Sequence, residues 1–144
     1  MSPRREVHLT IPVAPEMEIA ATAQVAALGE WMEMGRDKID EVKMAVVEAC
    51  INAFEHSATP DHKVEIDFRI GYADDEQKRA YLEVDVADCG IGFDPARLKT
   101  PEISSKLRSS RKRGWGIKII ESLMDDVRIE SGMNGTKIVM RKYR

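Results

Sequence analysis

Apolar and polar residues alternate strictly along Lys63-Val64-Glu65-Ile66-Asp67-Phe68-Arg69-Ile70, and again in the same phase along Tyr81-Leu82-Glu83-Val84-Asp85-Val86-Ala87. A period of two sends alternate side chains to opposite faces, so these stretches predict two half-buried strands. Between them Gly71 to Arg79 is polar and charged, as an exposed connection should be. Val7 to Ile11 alternates before Pro12 and predicts a short strand at or near a sheet edge, because proline cannot donate to an interior ladder. Helical spacing follows from Glu16 to Met34. Ile19, Ala23, Ala26, Ala27 and Trp31 can share one face there, and Gly35 is the expected stop. Asp37 to His56 carries the clearest helical pattern, with acid in its first turn and a breaker at Pro60. Residues 97–113 lack periodicity and are rich in Ser, Lys and Arg, which predicts a mobile loop. Gly114 to Met124 returns to helical spacing with Ile117, Ile120, Leu123 and Met124 on its apolar side. Two last strands, Asp126 to Ser131 and Thr136 to Arg141, flank a Gly132-Met133-Asn134-Gly135 turn.

The order β-α-α-β-β-loop-α-β-β groups strands into hairpins. It predicts an α+β two-layer sandwich, with a mixed, mainly antiparallel sheet covered on one face by helices. At 144 residues the chain has the size of one domain that buries its own core, with no repeat or linker marking a second. A formal charge of −3 argues against a nucleic-acid backbone as the main partner. No apolar run approaches the ~20 residues of a membrane span, and no signal-like core follows the N-terminus. Cys50 and Cys89 lack the spacing of a zinc site and are expected to be reduced and buried, which fits a cytoplasmic location.

Three constellations bear chemistry. Glu48, Asn52 and His56 are four residues apart and project from one face of the second helix, amid Val46, Val47, Ala49, Ile51, Ala53 and Phe54. An amide oxygen is a hard ligand suited to Mg²⁺, and a carboxylate one turn earlier can accept a proton from a nucleophile. A solvated polar face on an amphipathic helix is the competing reading. Asp88-Cys89-Gly90-Ile91-Gly92-Phe93 stands where a strand ends. A carboxylate there can accept from an exocyclic amine such as adenine N6, and the glycines allow close approach, although the same residues also suit a tight turn. Finally, Arg111-Lys112-Arg113-Gly114-Trp115-Gly116-Ile117 leads basic residues into glycines that open a helix. Such an N-terminus offers unpaired N–H groups to phosphate oxygens, or is simply a solvated basic loop. No GxxxxGK[ST] loop, GxGxxG turn or HRD-type catalytic loop is present.

Taken in order, Glu48-x-x-x-Asn52-x-x-x-His56, Asp88-x-Gly90-x-Gly92, Gly114-x-Gly116 and Gly135-Thr136 resemble the ATP site of the GHKL superfamily. Within it, the stretch Gly114 to Asp126 is similar to the anti-sigma-factor serine kinases, and the resemblance spans nearly the whole chain. It implies a Bergerat-fold ATPase over residues 1–144 that binds Mg-ATP. Glu48 would be the catalytic base, Asn52 the Mg²⁺ ligand and Asp88 the adenine-reading carboxylate, with His56 on the same helix. Gly90 and Gly92 would border the base pocket. Gly114, Trp115 and Gly116 would adjoin the phosphates, and Thr136 would hold adenine through water. The lid would span about 97–113, with Lys112 matching a basic γ-phosphate contact and Arg111 and Arg113 as rivals. Relatives often carry Asn at the position of Cys89 and Ser at that of Arg113. The partners implied are a STAS-domain anti-anti-sigma factor as phosphate acceptor, a sigma factor held by the kinase, and a second copy of the chain through the N-terminal region. An ATP-gated binding module without transfer, and a detached histidine-kinase catalytic domain, are the alternatives.

Overall fold

A computed structural model describes residues 5–56, 63–88, 116–132 and 135–144. The chain runs β1 (Arg5–Pro12), α1 (Glu18–Trp31), α2 (Arg36–His56), β2 (Lys63–Tyr72), β3 (Ala80–Asp88), a helix over 116–123 (α3), β4 (Asp126–Gly132) and β5 (Gly135–Tyr143). The strands form one sheet in the order β1-β2-β3-β5-β4, and every pairing among the described residues is antiparallel. Helices and sheet make the expected α+β sandwich. β1 with its Pro12 is indeed an edge strand. Val64, Ile66 and Phe68 of β2 and Leu82, Val84 and Val86 of β3 point into one core with Val25, Val42, Val46 and Ile120 from the helices.

The register decides what the alternation only suggested. On the sheet face away from this core, Glu6, Arg69, Glu83, Arg141 and Asp126 stand opposite one another on five successive strands, a row of alternating charge. Arg69 Nη1 donates to Glu83 Oε2 at 2.6 Å, and Arg141 Nη2 donates to Glu83 Oε1 at 3.0 Å. These long cations lie over β3, so Glu83 and Asp85 are buried and β3 is covered on both faces rather than half-buried. Cross-strand pairs of opposite charge stabilise such a face modestly. Burial raises the pKa of Asp85, Glu83 adds to the rise, and Lys137 and Arg69 oppose it.

Two expectations for α1 are corrected. The face shared by Ile19, Ala23, Ala26, Ala27 and Trp31 is turned largely to solvent, with Trp31 52% exposed under the guanidinium of Arg5 at 3.5 Å. The core takes Ala21, Val25 and Gly29 instead. α1 is apolar on both sides, and small residues on the inner side let α2 approach so closely that a Cβ at Gly29 would lie 2.7 Å from Ile39 Cγ1. The helix also ends before Gly35. Glu33 takes the left-handed conformation (φ 58°) while its N–H donates to Glu30 O and that of Met34 to Gly29 O, a Schellman cap without glycine. Met32 and Met34 fold back into the core.

Candidate functional site

α2 supplies the first half of the site. Propagating at about 100° per residue, it turns Val42, Val46, Ala49 and Ala53 to the core and leaves Asp40, Met44 and Ile51 exposed. Glu48 lies at the border between these faces, and Asn52 lies on the sheltered side at 8% exposure. Asn52 Oδ1 is buried and has no hydrogen-bond partner among the described residues. An orphaned buried acceptor destabilises a fold by about 1–3 kcal/mol, so its retention here points to a ligand that satisfies it. The donor set fits one hard cation taking a single protein oxygen. Among the described residues no group of three His, Cys, Asp or Glu could hold a metal alone. The apolar neighbours of the polar stripe are not all sheltered, since Ile51 faces solvent.

The second half comes from the other end of the chain. The described part of α3 begins at Gly116, which is buried, and a Cβ placed there would lie 3.4 Å from Glu48 Oε2. The carboxylate of α2 thus lies beside Gly116 of α3, 68 positions later in the chain and joined to it by no local spacing. The opposite end of α3 is pinned by Lys142, whose Nζ donates to Leu123 O and to Glu41 Oε2, both at 2.5 Å. Lys142 is buried on the helix-covered face of β5, a position where its alternation with Ile138 and Met140 would lead one to expect an apolar residue.

Asp88 and Thr136 form the third part. Asp88 closes β3 at 5% exposure, on the same face as Val84 and Val86, and its cross-strand neighbour on β5 is Thr136. Two residues singled out for different reasons are therefore side by side at the end of the core. Thr136 Oγ1 lies 3.3 Å from Ser131 Oγ on β4. Gly90, Gly92, Lys112, Arg113, Gly114 and Trp115, the lid at about 97–113, Cys89 and the side chain of His56 lie outside the described residues. Cys50 is free and buried, its thiol pushed up to about 12 by desolvation and by Glu18, which leaves it a packing residue.

Residues 11–142 match the family model of a histidine kinase-like ATPase domain, which defines the class. The chain is 32% identical over 143 residues to the serine-protein kinase RsbW of Bacillus velezensis, covering 95% of this chain and 84% of that protein. Its identity to the proteins of the same name is 31% in Bacillus subtilis, covering 84% of that protein, and 30% in Oceanobacillus iheyensis, covering 85%, each across 95% of this chain. A crystal structure of the RsbU and RsbW domains of a Mycobacterium tuberculosis protein shares the fold. It has a TM-score of 0.66 and 18% identity over 99% of this chain, which spans 34% of that longer one. The chain thus belongs to the histidine kinase-like ATPases and, within them, to the RsbW family of serine-protein kinases. No helix among the described residues is long and apolar enough to cross a membrane.

Proposed function

We propose that this protein transfers the γ-phosphate of ATP to a serine of a STAS-domain anti-anti-sigma factor, and that it also holds a sigma factor until that antagonist is unphosphorylated. The observation that carries the reading is the meeting of Glu48 Oε2 with Gly116, one helical turn from the unpartnered Asn52 Oδ1. In this reading Glu48 accepts the serine proton as the serine Oγ forms its bond to the γ-phosphorus and the bond to the ADP oxygen breaks. Asn52 holds Mg²⁺, which when bound neutralises charge on the phosphates. The N–H groups at Gly114 and Gly116 cradle phosphate oxygens, and Lys112 in the lid, flanked by Arg111 and Arg113, supplies countercharge.

Asp88 accepts from the adenine amine. Thr136, its neighbour across the strands, supports the base through water. Gly90 and Gly92 border the base pocket, and His56 and Trp115 complete the site. The protein acts in the cytoplasm as one ATPase domain per chain. It dimerises through the N-terminal region, where the exposed apolar face of α1 supplies a surface. The kinase reading is tested by incubating the protein with labelled ATP and STAS-domain candidates. Acid-stable phosphoserine with wild type and none with Glu48→Ala is the expected result. Undiminished transfer by the variant would remove the assigned base, and label on a partner histidine would make this a histidine kinase.

A further inference from the structure

The exposed arc of α2 has a composition that ATP binding does not require. Met44 is 57% exposed and Ile51 38% exposed, with Val47 half-buried between them. On a helix of 3.6 residues per turn, Met44 and Ile51 are rotated by about 40° and 60° from Glu48, both to the same side, while Asn52 is rotated by about 40° to the other. Glu48 therefore divides a sheltered face from an open apolar one. Asp37 and Glu48 border the arc on one side and Asp40 its N-terminal end, while Arg36 and Lys43 lie beyond Val47 on the other side. Large apolar side chains grouped at a helix surface are the composition of a protein-binding patch rather than of a solvated helix face.

We infer that the Met44–Val47–Ile51 stripe is the docking surface for the phosphate-accepting protein, which meets it with an apolar patch bordered by basic residues and so brings its serine to Glu48. The occupant is chosen by continuity. The stripe starts within one helical turn of the proposed base, so a protein seated on it has its nearest residues at the carboxylate. The carboxylates on the Glu48 side, Asp37 and Glu48, favour a partner that places basic residues there. This rests on the kinase reading for the identity of the acceptor, but the docking itself is measurable without transfer.

The test uses the full chain with the unphosphorylated STAS-domain acceptor. Binding is measured in the presence of a non-hydrolysable ATP analogue, and transfer with ATP. Met44→Glu and Ile51→Glu are each expected to weaken acceptor binding and raise its KM by about tenfold, the size of a modest interface hot spot. Affinity for the ATP analogue, kcat at saturating acceptor and the melting temperature should stay near wild type. Met44→Leu and Ile51→Leu should restore binding, and Ile129→Glu, on the distant β4 edge, should leave it unchanged. Unaltered acceptor binding in both Glu variants would overturn the assignment while leaving the kinase reading standing. So would a change of oligomeric state, or of sigma-factor retention, with acceptor binding intact. Loss of binding in the variants while wild type transfers no phosphate would keep the docking surface and remove the kinase reading.

Discussion

Asn52→Leu separates stability from ligand binding. Leucine has nearly the shape of asparagine, so it fills the same space under the sheet end without leaving the amide oxygen buried and unpartnered. Relief of one orphaned acceptor is worth about 1–3 kcal/mol. Better helix propensity in the middle of α2 adds a few tenths of a kcal/mol. A net gain of about 2 kcal/mol corresponds to a rise of roughly 4–8 °C in the melting temperature of a ligand-free domain of this size. The same change removes the proposed Mg²⁺ ligand. Wild type should gain about 2.7 kcal/mol from Mg-ATP at a hundredfold excess over Kd, whereas the variant should gain far less, and nothing that depends on Mg²⁺. Thermal unfolding followed by circular dichroism, with and without ATP and Mg²⁺, reads both effects. A ligand-free variant that melts below wild type would show that Asn52 is already satisfied. A variant that keeps Mg²⁺-dependent stabilisation by ATP would remove Asn52 from the metal site.

Glu48→Gln should reduce phosphotransfer by 10²–10⁴-fold, the usual contribution of a general base, while ATP affinity measured by fluorescent-nucleotide titration changes only a few-fold. Gly29→Ala should destabilise by about 1–3 kcal/mol in urea unfolding, because its Cβ would sit 2.7 Å from Ile39 Cγ1; pairing it with Ile39→Ala should recover part of that loss, and simple additivity would refute the close approach. Glu33→Gly, at φ 58° in the α1 cap, should stabilise by about 1 kcal/mol, and a loss would show that the Glu33 side chain does more than occupy the turn. Asp85 has a folded-state pKa raised above its ordinary 3.8, so its contribution favours the folded state at acid pH and is lost as pH rises through the raised value. Asp85→Asn should accordingly gain stability relative to wild type at neutral pH and lose that advantage below pH 3.8, and an advantage independent of pH would refute the titration.

The fold was legible because its signals are local. Strict alternation marked β2 and β3, and the turn before it marked β5, each to within two residues at either end, and Pro12 identified an edge from the chemistry of one missing N–H. The face of α1 was not legible, because Ile19 and Val25 are equally apolar and only the docking of α2 at Gly29 decides which is buried. Lys142 could not be foreseen for a related reason. A buried lysine is tolerated only where acceptors converge, and Glu41 and Leu123 O reach it from elements far away in sequence.

By itself the sequence determined the residue chemistry of the candidate site: a carboxylate and an amide one turn apart on α2, an aspartate at a strand end, and a glycine-punctuated basic segment. These follow from spacing and side-chain type, which the chain carries with it. The tertiary structure decided their conjunction. It set Glu48 against Gly116 and Asp88 beside Thr136, left Asn52 Oδ1 without a partner among the described residues, and turned Met44 and Ile51 outward next to Glu48. Each of these depends on sheet register and helix docking, which arise from contacts between distant parts of the chain and leave no periodic trace along it.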